Sequence, residues 1–281
     1  MPCFHPIPAW RTAGGEVRLN REMRDSEPLA LPCGQCLGCR TSNARTWALR
    51  CHLELQDHRD ASFITLTYDD KYLPPTLVKD HLSDFIRALR KKTKRVDPTR
   101  AIRFFASGEY GEQNERPHYH AILFGLDNPE LVHDTWRKGH THSGAVTPKS
   151  ISYVAGYTSK KIGFRKEAAT ERVDPETGEC YHWQPPFILM SRRPGIGANA
   201  KQHRSSWRMY AIHNGAQLPV PRFLHEAWKE TATPEMHEQR EFEKHILKRA
   251  KGGKQLTREA LQAAEEIAVA RQRIKAANRK L

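Results

Sequence analysis

FFASGEYGEQNERPHYHAILF, residues 104–124, decides the fold that we predict for this chain. Two apolar runs flank a polar, glycine-rich turn, which is the signature of a β-hairpin. Residues two apart on a strand point to the same face, so His118 and His120 should both leave one side of the second strand. Glu109 is close to the turn on the first strand and can come opposite them. Two imidazoles and a carboxylate in this arrangement predict a divalent-metal site with open positions for a substrate.

The residues around the two histidines favour a metal site over a pair of solvated surface side chains. Two histidines with one residue between them form a weak motif, which is also found among solvated surface groups. Pro117 fixes the start of the strand, and Ile122 and Phe124 continue the histidine face as apolar core. The histidines should therefore lie at the rim of a packed sheet, where rigid metal sites are built.

The net positive charge of the chain predicts a polyanionic partner. The 281 residues carry a formal net charge of +14, and 38% of them are hydrophobic, which is enough for the core of about one domain. Such a chain is expected to bind nucleic acid or an anionic membrane surface. No apolar run approaches the ~18 residues of a membrane span, and the first residues, MPCFHPIPAW, are unlike a secretory signal. We therefore expect a reducing cytoplasm, where cysteines serve as metal ligands or free thiols.

Three of the six cysteines form a cluster in Cys33-Gly-Gln-Cys36-Leu-Gly-Cys39. Cysteines three apart with glycines between them suit a tight knuckle around a metal ion, because the backbone must turn sharply there. A structural zinc ion needs four ligands. The fourth could come from one of several residues: Cys3 or Cys51, with His5 and His52 as further candidates. A group of free thiols in a tight turn and an iron–sulfur cluster are the alternatives.

Hydrophobic periodicity predicts the elements around the hairpin. Alternating β-branched residues indicate a strand, apolar stripes at helical spacing indicate helices, and an Asn-Gly pair between apolar runs indicates a hairpin turn. The charged C-terminal segment has few apolar anchors and should form solvated helices or be partly disordered, with a DNA-binding tail or an oligomer contact as the alternative role. The predicted elements are helices over 40–56 and 77–92, a strand over 62–68, a hairpin over 207–220 with its turn at Asn214-Gly215, and two helices over 234–281 separated by Gly252-Gly253.

Two connecting segments are expected to be surface loops. His133, His140 and His142 are loosely spaced, and contact with phosphates is the alternative role for them. The Pro- and Gly-rich connection over 171–203 contains Arg192-Arg193-Pro194-Gly195. This basic segment has the same alternative, namely contact with nucleic-acid phosphates.

Residues 152–161, SYVAGYTSKK, combine phenols and lysines on one predicted helix face. In a helix, Tyr153 and Tyr157 stand one above the other, and Lys160 falls in the same stripe. An amphipathic helix that packs the tyrosine rings and exposes their hydroxyls is the ordinary explanation for such a pair. Here the pair follows the predicted metal hairpin in a strongly basic chain, which favours a reactive role.

These groups together predict a transesterification. A phenol with a pKa near 10 is a weak nucleophile at neutral pH, and a neighbouring ammonium favours its ionised form. A divalent ion held by the hairpin would polarise a phosphodiester oxygen. Attack by one tyrosine would join DNA to the protein through a 5′ phosphate and leave a free 3′ hydroxyl. The second tyrosine could then attack a second strand while the first is still loaded.

The order of these motifs resembles a known family. A strand Phe63–Tyr68, then Arg116-Pro-His118-Tyr-His120, then the tyrosine pair with Lys160-Lys161, is similar to the HUH endonucleases that initiate rolling-circle replication. The paired tyrosines resemble the two-tyrosine superfamily. Met1-Pro-Cys3, the cysteine cluster with Arg40, and Glu109-Tyr-Gly-Glu resemble the initiators of gokushovirus-type microviruses, which are small single-stranded DNA phages. The resemblance covers residues 1–225.

The resemblance implies a metal-dependent, site-specific DNA endonuclease with strand-joining activity. Such an enzyme nicks the double-stranded replicative form at the viral origin, and a host polymerase extends the free 3′ end. Viral origin DNA and the host replication machinery are then the partners, without a membrane, in the cytoplasm of a bacterial host. The residues implied are the ligands Glu109, His118 and His120 for Mg²⁺ or Mn²⁺, the catalytic residues Tyr153, Tyr157 and Lys160, and DNA contacts at Arg40, Arg116 and Lys161; Glu112 or Glu115 could replace Glu109.

The fold implied is α+β, with a central antiparallel sheet related to the RNA-recognition-motif arrangement and helices packed on one face. We divide the chain into an N-terminal arm with the cysteine cluster and first helix (1–57), an endonuclease core (58–225) and a charged helical C-terminal extension (226–281). Two other functions fit parts of the pattern. A non-catalytic zinc-cluster nucleic-acid-binding protein leaves the tyrosine–lysine stripe unexplained. A non-haem iron oxygenase also uses two histidines and a carboxylate, but the net charge argues against it.

Overall fold

The computed structural model describes residues 3–19, 26–111, 114–161, 171–174, 177–200, 210–213, 216–250 and 257–277. Within these ranges there are twelve strands and seven helices, with a 3₁₀ turn at Asp70–Tyr72. The strands are β1 Ile7–Arg11, β2 Val17–Arg18, β3 Glu27–Leu31, β4 Ala61–Leu66, β5 Arg103–Tyr110, β6 Pro117–Phe124, β7 Thr141–Ala145, β8 Glu171–Val173, β9 Cys180–His182, β10 Phe187–Met190, β11 Tyr210–His213 and β12 Ala216–Pro219. The helices are α1 Leu37–Leu55, α2 Lys79–Val96, α3 Pro129–Trp136, α4 Pro148–Lys161, α5 Arg222–Thr231, α6 Pro234–Ala250 and α7 Arg258–Ala277.

Five antiparallel strands form the central sheet in the order β10-β5-β6-β4-β7. The predicted hairpin is its centre, and its register places Glu109 opposite His118 and Ser107 opposite His120. β4, which corresponds to the strand predicted over 62–68, pairs with the other side of β6 and places Thr65 opposite His120. Both strands that carry the predicted ligands are therefore interior strands of the sheet, bonded on two sides.

One face of this sheet packs on α2 and α3. Leu82, Phe85 and Leu89 from the predicted amphipathic stripe of α2 are buried there. Burying each of these side chains contributes about 1.5–3 kcal/mol relative to leaving it exposed. Tyr119, the residue between the two histidines, points into this core, and its hydroxyl donates to the carbonyl of Val78 at 2.8 Å. The alternation of β6 then sends both histidines to the opposite face.

α1 and α4 pack on that opposite face. Phe105, Ile122 and Phe124 of the hairpin are buried there against Val154 and Ala155 of α4. The α+β class with a central antiparallel sheet is confirmed, and the structure adds a second helical layer to the one predicted. The reason is that β5 and β6 are apolar on both faces over most of their length, so both faces must be covered.

The chain divides into two compact units, residues 1–43 with 243–281 and residues 44–242. The first contains the small sheet β2-β1-β3, the cysteine cluster and α7, and the second contains the central sheet. The hairpin predicted over 207–220 is present as β11 and β12, while its Asn-Gly turn lies outside the described residues. The two C-terminal helices are present as α6 and α7, with Gly252-Gly253 again outside the described ranges. Among the described residues, no helix combines the length and the apolar composition that a bilayer crossing requires.

Candidate metal centre and nucleophiles

The register of the central hairpin brings the three predicted ligands together. Oε1 of Glu109 lies 3.2 Å from Nε2 of His118 and 2.9 Å from Nε2 of His120. An octahedral ion with ligands at about 2.1 Å requires neighbouring ligand atoms about 3 Å apart, so this spacing fits one divalent cation. Of the two alternative carboxylates, Glu115 pairs with Arg172 at 3.3 Å instead, and Glu112 lies outside the described residues.

Hydrogen bonds at the other nitrogen of each ring orient the two imidazoles. Nδ1 of His118 donates to the carbonyl of Arg116 at 3.1 Å, and Nδ1 of His120 is hydrogen-bonded to the Thr65 hydroxyl at 3.0 Å. A ring that donates from Nδ1 keeps the Nε2 lone pair for a metal. Phe63 stacks on His120, with ring centroids 5.6 Å apart. Sequence reasoning missed the roles of Thr65 and Phe63, because alternation shows which face a residue takes but not which strand lies beside it.

The charge of the ligand triad, which consists of Glu109, His118 and His120, favours a bound cation. Burial raises the pKa of Glu109, but hydrogen bonds with His118, His120 and Tyr157 outweigh burial and lower that pKa to about 2. The carboxylate is therefore ionised at neutral pH, and two nitrogen donors flank it. Two histidines and one carboxylate leave coordination positions open, which suits an ion that must also bind a substrate.

α4 places Tyr153 beside the triad. Its hydroxyl donates to Oε1 of Glu109 at 3.4 Å and lies 3.3 Å from Nε2 of His120. The tyrosine ring meets the ring of His120 edge to face, with centroids 5.0 Å apart. Because Tyr153 is 44% exposed, its side chain is open to an incoming substrate while its hydroxyl is next to the ligand atoms. The hairpin and the tyrosine helix therefore meet on one face of the sheet.

Tyr157 lies in a different environment from Tyr153. It is 6% exposed, and its ring stacks parallel to that of His120 with centroids 6.1 Å apart. Burial, followed by hydrogen bonds with Tyr153 and Glu109, raises the pKa of its phenol well above the usual value. Tyr157 is therefore held protonated and inward in this conformation. Helical spacing predicted one shared face for the two tyrosines but could not separate their surroundings.

The basic residues predicted to act at the site lie in different surroundings. Lys160 and Lys161 end α4, and their side chains are outside the described part of the chain. Arg116 pairs with Asp70 at 2.7 Å and lines a cavity of about 440 Å³ that also touches the triad through a histidine. Arg40 lines a cavity beside the cysteine cluster. Of the predicted basic residues whose side chains are described, Arg116 is the one that shares a cavity with a member of the triad, His118.

A second group of potential ligands consists of Cys3, Cys33, Cys36 and Cys39, whose sulfur atoms all lie within 4.8 Å of one another. The distance between sulfurs is 4.0 Å for Cys33 and Cys39 and 3.9 Å for Cys36 and Cys3. A tetrahedral ion with metal–sulfur bonds of about 2.3 Å holds its sulfurs about 3.8 Å apart. The spacing fits one four-coordinate ion, whereas a cluster of several irons would separate its thiolates further. The structure selects Cys3 as the fourth member, and Cys51 is buried in the core of the central sheet instead.

Backbone amides point at the sulfur atoms of this cluster. The N–H groups of Phe4 and Cys39 donate to Sγ of Cys36 at 3.3 and 3.4 Å, and the N–H of Cys36 donates to Sγ of Cys33 at 3.3 Å. Burial raises the pKa of Cys36, but the bonds from Cys39 and Phe4 outweigh burial and lower that pKa to about 6. These amides stabilise the thiolate of Cys36, which is the form that binds a metal. Burial instead raises the pKa of Cys3, and it raises the pKa of Cys39 to about 12.

Known protein families provide an independent comparison. A family model described as replication-associated protein ORF2/G2P matches residues 61–162. The matched segment runs from β4 to the end of α4, so it contains the ligand triad and both tyrosines. Among solved structures, none matches the chain.

Curated phage proteins are similar to the chain over longer stretches. "Replication-associated protein VP4" of Bdellovibrio phage phiMH2K is 30% identical over 256 residues, which cover 82% of this chain and 78% of that protein. "Replication-associated protein ORF2" of Spiroplasma virus 4 is 34% identical over 168 residues, 51% of this chain and 52% of that protein. "Replication-associated protein ORF4" of Chlamydia phage 1 is 28% identical over 154 residues, 47% and 38% of the two chains. Because the first of these similarities spans most of both proteins, the chain belongs to the microvirus-type replication initiators, the family of phage replication-associated proteins.

Proposed function

We propose that the protein is a metal-dependent, site-specific endonuclease that nicks phage DNA at the replication origin and starts rolling-circle replication. The observation that carries this proposal is the position of the Tyr153 hydroxyl, 3.3 Å from Nε2 of His120 and 3.4 Å from Oε1 of Glu109. A nucleophile this close to metal ligands is placed to attack a phosphate bound at the same site. The partners of this activity are origin DNA, as duplex and as single strand, and the replication machinery in the cytoplasm of a bacterial host.

The triad and its supports prepare the site for a phosphodiester. Glu109, His118 and His120 would hold the ion, and Mg²⁺ or Mn²⁺ bound there supplies positive charge to the phosphate oxygens. The Thr65 hydroxyl and the Arg116 carbonyl keep the two imidazoles in their ligand orientation. Rigid supports of this kind matter because a displacement of about 1 Å in a reacting group can cost about 100-fold in rate.

The proposed reaction exchanges one phosphodiester bond for another. The hydroxyl oxygen of Tyr153 bonds to phosphorus while the bond from phosphorus to the 3′ oxygen breaks. The phenol loses its proton, the released 3′ oxygen gains one, and the charge is balanced. The products are a 5′-phosphotyrosine and a free 3′ hydroxyl that a polymerase can extend. A 3′ hydroxyl attacking the phosphotyrosine reverses the step and rejoins the strand, because the covalent bond to tyrosine conserves the bond energy.

The two tyrosines act in a fixed order in this proposal. Tyr153 is half-exposed beside the triad and attacks first. Tyr157 is buried with a raised pKa and would attack the second strand after its side chain reaches the triad. The buried tyrosine is thus held in reserve while the exposed one carries the nicked strand.

A covalent adduct is the direct test of this function. The full-length protein is incubated with a single-stranded oligonucleotide from the phage origin and Mn²⁺ or Mg²⁺, and is then denatured. We expect a DNA-linked protein that does not form in EDTA, with the DNA on the peptide that contains Tyr153. Binding of the oligonucleotide without any adduct would support a non-catalytic zinc-cluster nucleic-acid-binding protein, which the cysteine cluster and the net charge favour.

The cysteine cluster should hold a separate, structural Zn²⁺. We expect about one zinc per chain by elemental mass spectrometry, and Cys3→Ser should release it, because a structural zinc needs its four ligands. Cys180→Ser removes an exposed cysteine outside the cluster and is the matched control. Full zinc content in the Cys3→Ser protein would show that Cys3 is not a ligand.

A further inference from the structure

A basic groove lies at the end of β5 that is farther from Glu109, and the α2 residues that line it belong to the face of the sheet opposite the histidines. It has a volume of about 850 Å³ and is lined by α2, the residues before β5 and the segment after β10. Among the described residues, no aspartate or glutamate lines it. The cationic residues that line the basic groove are Arg90, Lys94, Arg100, Arg103, Arg192 and Arg193.

Two of the six cations of the basic groove form ion pairs with carboxylates, and three of the others are exposed without one among the described residues. Arg100 pairs with Asp60 at 2.9 Å, and Arg103 pairs with the buried Glu54. The structure gives Lys94, Arg192 and Arg193 no ion pair within its described part, and all three side chains are exposed. Burial and then the charge of Arg103 lower the pKa of Arg90, the direction expected where positive charges crowd together. The basic groove therefore has an excess of positive charge that an external polyanion can neutralise.

Hydrogen bonds hold the arginine segment in place. The N–H of Ser191 donates to the carbonyl of Phe104 at 2.9 Å, and the N–H of Phe104 donates to the Ser191 hydroxyl at 3.1 Å. Arg103 donates to the carbonyl of Pro194 at 2.8 Å, and the N–H of Gly197 donates to Glu54 at 2.6 Å. The exposed arginines thus extend from backbone that is fixed at both ends, which reduces the entropy lost on binding.

The lining of the basic groove indicates what it recognises. Proteins that bind single strands stack bases on exposed aromatic rings. The one aromatic residue in this lining, Phe104, is buried, and the guanidinium of Arg90 lies 5.5 Å from its ring. Without a stacking surface, such a lining contacts phosphates and carries no base preference.

The distance between the basic groove and the triad can be measured along β5. Arg103 and Glu109 lie on the same strand, six residues apart, which is about 20 Å at about 3.3 Å per residue. That distance corresponds to about six base pairs of DNA at about 3.4 Å each. We propose that the basic groove binds the sugar–phosphate backbone of double-stranded DNA next to the nick site, an inference that rests on the proposed endonuclease function. Duplex bound there would anchor the origin while the strand at the triad is cut.

The test compares charge-neutralised variants of the full-length protein. The probe is a fluorescent duplex of unrelated sequence, long enough to span the basic groove and the triad, and binding is measured by anisotropy over a salt series. The variant Lys94→Gln/Arg192→Gln/Arg193→Gln should bind at least about tenfold more weakly, and its slope of log affinity against log salt should fall by about 2.7, at about 0.9 per lost contact. The control, Arg222→Gln/Lys229→Gln/Arg271→Gln, removes three exposed cations outside the groove and should keep the slope.

Each outcome of this comparison decides the proposal. Equal slopes for the two triple variants would overturn it. An equal loss of affinity for a single-stranded probe would also overturn it, because the basic groove would then not distinguish duplex from single-stranded DNA. Adduct formation on the short single-stranded origin oligonucleotide should be unchanged in the groove variant. If the wild-type protein forms no adduct but the groove variant still loses duplex affinity, the endonuclease proposal fails and the basic groove stands as a duplex-binding site.

Discussion

Tyr153→Phe should abolish the covalent DNA adduct, with a loss of at least about 1000-fold in the rate of the first cleavage, because Tyr157, the other nucleophile, is buried and is not presented for the first attack. Tyr157→Phe should leave that rate within about threefold. The difference follows from the two environments: Tyr153 is exposed with its hydroxyl at the ligand atoms, and Tyr157 is buried with a phenol whose pKa is raised. Replacing tyrosine by phenylalanine keeps the ring packing against His120 and removes the hydroxyl alone.

The measurement is single-turnover cleavage of origin oligonucleotide, followed on a denaturing gel, with a peptide map of the adduct. The two variants control for each other, because each removes one hydroxyl from the same helix. In a substrate with two cleavage sites, Tyr157→Phe should stop at the first adduct and fail to transfer the second strand. An adduct mapped to Tyr157 in the wild-type protein would reverse the order of attack that we infer.

Glu109→Gln should weaken Mn²⁺ binding by at least about 100-fold, which is about 2.7 kcal/mol at 1.36 kcal/mol per tenfold change. The substitution keeps the size of the side chain and removes the one negative charge of the triad, which lies 2.9 and 3.2 Å from the two imidazole nitrogens. Mn²⁺ affinity can be followed by its electron paramagnetic resonance signal, without DNA and without turnover.

Glu115→Gln is the matched control for this loss. Glu115 is a carboxylate on the same hairpin that pairs with Arg172 and is not part of the triad. Its variant should bind Mn²⁺ within about twofold of the wild-type protein. A loss of affinity in Glu115→Gln with none in Glu109→Gln would mean that the loop carboxylate supplies the ligand.

The sequence predicted the centre of the fold because the hairpin is local. The spacing of His118 and His120 and the glycine-rich turn specify two adjacent strands, and the register of those strands then places Glu109 beside both rings. The strand order around the hairpin depends on contacts between distant segments, so Thr65 could not be assigned to His120 in advance. The second helical layer was missed for the same reason, since the continuous apolar run after His120 indicates burial on both faces but not what covers them.

Two further features could not be predicted from the sequence: the different burial of the two tyrosines and the fourth member of the cysteine cluster. Positions four apart differ by about 40° around a helix, which is enough to expose Tyr153 and bury Tyr157 once the helix docks on a sheet. That rotation is fixed by the packing of Val154 and Ala155, which the spacing of the tyrosines does not contain. The cysteine cluster is the second of these features. Three members lie within seven residues of one another in the sequence, whereas Cys3 comes close to them because β1 pairs with β3.

The two ligand strands have hydrogen-bonded neighbours on both sides, β10 beside β5 and β4 beside β6. Such strands separate from the sheet only when the domain as a whole unfolds. Occupancy of the triad and global folding are therefore linked equilibria: free metal at about 100 times its dissociation constant adds about 2.7 kcal/mol to the free energy of unfolding. In the proposed reaction, an ion bound at the triad would then also protect the protein during the interval in which it is covalently loaded with DNA.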